Sequence, residues 1–339
     1  MKKLFLQISF FLLLMLLTFY ALFQKQNLPE ILEALSLLSL PALAASLSLA
    51  LFFVSAEGFM IWYLLHAMHG KSSLFRCIRY SFIGFFYSGI TPSATGGQPM
   101  QLYYLQKDGN KASNSTVVLM TVALIYKFVL VIIGIGILLF GYSFLRTYLK
   151  GYFPLYLLGL FLNTFLVILL ILVMWFPRVI WKTALLFQSF LIRINIWKPS
   201  AKREEKITSF ITGYQQAVVW LTAHKKKLAM VILMTFVQRI SVFLLTYIVY
   251  LGFHLQAHSA LSVMCLQATV YIAVDMLPLP GAQGITELMY QTVFSSVFPQ
   301  ALLLPSMLVS RGINFYFLLI LSLLIVLISL KWNTRRDIP

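Results

Sequence analysis

The chain has 339 residues, 60% of them hydrophobic and only 10% charged, with a mean hydropathy of +0.89. Such a composition excludes a soluble globular domain and a disordered segment alike, and the long apolar runs exclude a β-barrel, whose strands alternate with period two. A net charge of +17 then belongs to an all-α polytopic membrane protein whose basic residues face anionic headgroups, so no directly bound nucleic acid is implied.

The first element is the apolar run 4–23 behind Lys2 and Lys3. It is longer than the core of a cleaved signal and no small-residue cleavage site follows, so it reads as an uncleaved first span. A second span occupies 41–68, again at or above the roughly 20 residues that a crossing requires. Region 78–110 is hydrophobic yet interrupted by "ITPSATGGQPMQLYYL", which places Pro92, Gly96, Gly97 and Pro99 in its break. Spans at 114–142 and 152–176 precede a basic stretch, 178–227. There Ile207, Phe210, Ile211, Tyr214, Val218 and Leu221 share one helical face. This predicts an amphipathic helix, lying on the inner leaflet or packed on the protein, and 179–195 reads the same way. A fifth span at 228–251 leads to region 262–298, broken in turn by "DMLPLPGAQGITELMY" with Pro280, Gly281 and Gly284. The sixth span covers 301–330.

Basic residues fix the orientation. Lys2, Lys3, Lys71, Arg76, Arg79, the ten Lys and Arg of 178–227 and the tail residues Lys331, Arg335 and Arg336 fall on one side, whereas 252–259 has none. Both termini are therefore expected in the cytoplasm, with the chain in the cell membrane. Segments 1–145 and 150–335 each hold three full spans and one broken region in the same order, within a single transmembrane domain over 1–339. An odd number of crossings inverts the second set relative to the first, as in transporters whose broken helices meet near the midplane. Setting Gly96-Gly97-Gln98-Pro99 over Gly281-Ala282-Gln283-Gly284 aligns the two breaks.

A charge within a span costs several kcal/mol and is by default a functional-site hypothesis. Six stand out: Glu57, Lys127, Arg239 and Arg311 in full spans, with Asp275 and Glu287 flanking the second break. They form either a polar pathway for a charged group or a set of ion pairs that hold helices in register. Helix N-termini freed by the breaks favour anions such as phosphate. Gln98, Gln101 and Gln283 add donors and acceptors, and Thr91, Ser93 and Thr95 add hydroxyls that serve a headgroup or the freed backbone. Cys77 and Cys265 lie far apart, and His254 and His258 have no acid nearby. No metal, cofactor or disulfide is expected.

"TPSATGGQPMQLYYLQKDG" (91–109), followed by "LPLPGAQGITE" (277–287) and by Arg311, resembles the flippase-like transmembrane family. That family includes the membrane region of lysylphosphatidylglycerol synthase, the multiple peptide resistance factor. The resemblance covers essentially the whole chain and implies Gly96, Gly97, Gln98, Pro99, Pro280, Gly281, Glu287 and Arg311 as motif positions. Ala282 departs from the usual glycine pair but remains small. In fused relatives a soluble domain transfers lysine to phosphatidylglycerol, and the membrane region is implicated in moving the product across the bilayer. Only "KWNTRRDIP" follows the sixth span here, and a transferase core needs on the order of 100 residues. The expectation is a translocase for an anionic or aminoacylated phospholipid. The alternatives are a component of lysyl-lipid synthesis that acts with a separate soluble synthase, and a carrier of a polyprenyl-phosphate-linked substrate.

Overall fold

A computed structural model describes residues 2–24, 27–176 and 201–336, which are helical without a strand. Helix α1 (Lys2–Phe23) is followed by the short α2 (Leu28–Ser36), bent from it by 94°. The second span is α3 (Leu40–Ala67), with a proline in its first turn, where no backbone donor is lost. The first broken region resolves into α4 (Leu74–Ile90), a 3-10 turn (Pro92–Ala94) and α5 (Gly97–Lys107). The third span is α6 (Ala112–Phe140), and α7 (Tyr142–Leu149) turns into α8 (Phe153–Trp175), the fourth. Beyond the basic stretch come α9 (Ala201–Ala223) and α10 (Lys225–Gly252), the fifth span. The second broken region comprises α11 (Ala260–Val274), a 3-10 turn (Pro280–Ala282) and α12 (Ile285–Val293).

Five helical segments are long and apolar enough to cross a membrane, and the bent pair α1–α2 makes a sixth. The five are the expected second to sixth spans, and the expected first, 4–23, is the long arm of the bent pair, a sixth span where that pair is counted as one. The last expected span differs in detail. It is α13 (Gln300–Arg311) and α14 (Leu318–Arg336), joined through a π-helical turn at Gly312–Phe317. Nothing in the apolar run "GINFYF" announces that turn.

Spans two and five pack along each other at the centre, and the start of α3 is tied to the end of α10 by Ser39 N–H donating to the Gly252 carbonyl at 3.0 Å. Close helix approach depends on small residues, as membrane packing generally does. A Cβ on Gly58 would lie 2.4 Å from Ile78 Cα, and one on Gly159 would lie 2.3 Å from the Ile272 carbonyl oxygen. At one end of the bundle Asp108 accepts from Ser72 Oγ and Tyr80 Oη, both at 2.8 Å, and from Arg76 at 3.2 Å. This clamps the α3–α4 turn to the α5–α6 turn. Outward-facing side chains such as Leu13, Phe140, Phe161, Phe165 and Ile328 are exposed and apolar, as lipid contact requires.

The predicted amphipathic face of α9 is divided. Tyr214, Val218 and Leu221 are buried on the protein, α9 packing chiefly on α6, while Phe210 is exposed. Protein packing thus takes the C-terminal half of that face. The stretch 179–195 lies outside the described residues.

Candidate functional site

The two breaks pack against each other. With Pro92 set on Pro280 their conformations match over residues 91–94 and part at Thr95 (ψ −16°) and Gln283 (ψ 148°). Thr91 and Leu279 are extended (φ −112 and −114°), Ser93 and Gly281 are left-handed (φ 50 and 59°), and so are Ala94 and Ala282 (φ 55 and 49°). This conformational match runs three residues out of step with the alignment of Gly96-Gly97-Gln98-Pro99 over Gly281-Ala282-Gln283-Gly284. Backbone conformation, not the glycines, sets the match, since two alanines and a serine occupy left-handed positions.

Within the first break the hydroxyls serve the backbone. Thr91 Oγ1 accepts from Gly96 N–H at 2.9 Å and donates to the Tyr87 carbonyl at 2.7 Å, while Thr95 Oγ1 donates to the Pro92 carbonyl. Buried Gly97 opens α5, and the exposed Gln98 and Pro99 follow it onto the wall of a central cavity. In the second break Glu287 accepts from the Gly284 N–H at 2.8 Å, so this helix N-terminus is neutralised by its own carboxylate.

All six intramembrane charges line that one cavity, which has a volume of about 630 Å³. Four of them are paired. Arg311 Nε donates to Glu287 at 3.0 Å, and its Nη2 donates to the Gly281 carbonyl, stitching the sixth span to the second break. Lys127 on α6 pairs with Asp275 at the end of α11, and Tyr126 Oη donates to the same carboxylate at 3.2 Å.

The remaining two have no ionic partner in contact among the described residues. Glu57 on α3 accepts from Gln101 Nε2 at 2.7 Å. Arg239 on α10 is 1% exposed, and its guanidinium lies 4.0 Å from the Tyr126 ring centroid and 4.6 Å from that of Phe53. Its nearest polar partner is Tyr271 Oη at 3.5 Å, and its Nε is buried without one. Rings supply a cation with part of the field that a carboxylate would give.

Gln283 stands apart. It is buried, but it does not line the cavity, and its amide makes no hydrogen bond. Conversely, Tyr126, Tyr271, Gln238 and Gln267 line the cavity without having been singled out in the sequence. Gln238 donates to the Phe53 carbonyl at 2.7 Å, and the Oε1 atoms of Gln238 and Gln267 are left without donors. A glutamine inside a span was the available signal for both. The tyrosines carried none, because tyrosine is common wherever a ring meets a polar edge.

Such a cavity combines buried charge, unused acceptors and a volume in the range of small-ligand sites. Its chemistry suits a ligand that carries an anion and a cation together. Compared with known proteins, residues 4–322 match the model of a family described as the lysylphosphatidylglycerol synthase TM region. No curated protein matches the chain.

Proposed function

The chain belongs to the lysylphosphatidylglycerol synthase transmembrane family and is a multi-pass membrane protein of that lipid system, and from this premise we propose that it translocates a phospholipid whose headgroup enters the central cavity. The carrying observation is the convergence of six charges on one cavity, with one base and one acid that have no ion-pair contact among the described residues. Arg239 is the group for the phosphate, since it lines the cavity and has no acid in contact among the described residues. Glu57 is the group for an amine such as that of a lysyl ester, with Gln101 holding its carboxylate in place. The two existing ion pairs position the walls.

An inverted repeat supports alternating access to such a site. The matching left-handed turns and their mutual contact favour it, as do the central pairing of spans two and five and the equivalent placement of each broken element beside its own preceding span. With both termini cytoplasmic, the first broken element enters from the cytoplasm and the second from outside.

Leaflet exchange of labelled lysylphosphatidylglycerol and phosphatidylglycerol in proteoliposomes tests the reading. A charge-assisted contact is worth about 1.5–3 kcal/mol, so Arg239→Met slows exchange of both lipids at least about tenfold. Glu57→Gln slows the lysyl lipid selectively. Absence of exchange by the wild-type protein refutes translocation. Loss of lysylphosphatidylglycerol itself from a deletion strain points instead to a role in its synthesis, whereas a normal total amount with reduced outer-leaflet exposure supports translocation.

A further inference from the structure

A second cavity, of about 280 Å³, lies between α1 and the sixth span. Its walls are Met15, Phe19 and Leu22 on one side and Met307, Leu308 and Ile320 on the other. Glu287, Arg311 and Met307 also line the central cavity, so the Arg311–Glu287 pair separates an apolar groove from a charged chamber. Among the described side chains of α1 only Phe11 is buried. The helix leans on the π-turn through ring contacts, Phe11 with Phe315 at 6.3 Å and Phe19 with Tyr316 at 5.5 Å between centroids. No hydrogen bond or ion pair joins the described side chains of α1 to the sixth span.

We propose that this groove is an acyl-chain site of the transported phospholipid, with the Arg311–Glu287 pair as the gate between chain and headgroup. The inference rests on the headgroup reading of the central cavity. Hydrocarbon and thioether walls suit a lipid tail and offer a polar ligand nothing. The charged floor is what identifies the occupant as a phospholipid rather than a sterol or a neighbouring helix. A phosphate arriving at the floor replaces the Glu287 carboxylate on Arg311, so the arginine exchanges one anion for another. Glu287 meanwhile keeps the Gly284 N–H and the α12 N-terminus. The π-turn directly after Arg311 lets the span bend there, as such turns often do at functional sites.

Gly312 makes the idea testable. It lines the groove, its backbone is helical (φ −54°, ψ −45°), and a Cβ added there meets nothing within 4 Å. Gly312→Leu therefore fills the groove and leaves the Arg311–Glu287 pair in place. Gly136 on α6 likewise has open space beside it, and Gly136→Leu serves as the control. The experiment uses the full chain in proteoliposomes containing phosphatidylglycerol with a diazirine at the end of one acyl chain. Photolabelled residues are mapped by mass spectrometry. Labelling is expected to concentrate on Met15, Phe19, Met307 and Leu308 above Leu139 and Phe161, which are 70% and 64% exposed to the surroundings. Gly312→Leu removes most of this excess, whereas Gly136→Leu keeps it. Groove labelling no stronger than at Leu139 and Phe161 overturns the proposal, and the wild-type pattern decides this even if Gly312→Leu does not fold. Labelling unchanged in a folded Gly312→Leu also overturns it. Groove labelling without leaflet exchange supports the acyl site and removes translocation alone.

Discussion

Arg239 rests against aromatic rings with no acid in contact among the described residues, and Glu57 on the same cavity feels its charge only at longer range. Cation–π contact recovers about 2 kcal/mol in a desolvated site, whereas taking an ion from water costs several kcal/mol. The balance is unfavourable for stability, which is the physical ground for assigning the residue to a ligand. Arg239→Met accordingly leaves the melting temperature in detergent unchanged or raised. Glu287→Ala behaves oppositely, lowering stability by about 3–5 kcal/mol, because it strands Arg311 without an acid inside the protein. Thermal unfolding of the two purified variants decides between these roles. A comparable fall in both would make Arg239 a structural residue. All six charged residues were legible in the sequence as anomalies in apolar runs. Their division into bound and free was not, because Lys127 and Asp275 are 148 positions apart and only folding brings them together.

The two breaks share a turn but not its surroundings. Ser93 adopts φ 50°, a conformation that costs an L-residue roughly 1–2 kcal/mol. Ser93→Gly is therefore expected to stabilise the protein by about 1 kcal/mol. The reciprocal change fails. A Cβ on Gly281 would lie 2.2 Å from Phe315 Cζ, so Gly281→Ser displaces the ring and destabilises by about 1–3 kcal/mol. Melting temperatures of the two variants should move in opposite directions, and movement in the same direction would contradict this account of the turns. Prolines and glycines marked both breaks in the sequence, and the conformational match over residues 91–94 runs three residues out of step with their alignment. Left-handed conformations at Ala94 and Ala282 carry no sequence signal, because tertiary packing imposes them. The π-turn after Arg311 was hidden for the same reason, lying inside a long hydrophobic run that reads as one span.

For the molecule as a whole, the proposed inverted arrangement makes a topological prediction. Cysteines introduced at the exposed positions Lys111 and Ala223 should react with a membrane-impermeant maleimide only from the cytoplasmic side. Cysteines at the exposed Ala257 and Ser296 should react only from outside. Lys111 and Ser296 follow the two broken elements, so labelling of both from one side would sink the inversion. Amino-acid sequence by itself determined that this is a helical membrane protein with six spans and two interrupted elements, and it marked the residues too polar for lipid. Those properties follow from transfer of successive side chains into a bilayer, which depends on local composition and length. Tertiary structure alone decided that the six charged residues line one chamber, that two of them lack an ionic partner in contact among the described residues, and that an apolar groove meets the same chamber at Arg311. Electrostatic pairing and cavity shape depend on distances between residues remote in sequence, and no local pattern encodes those distances.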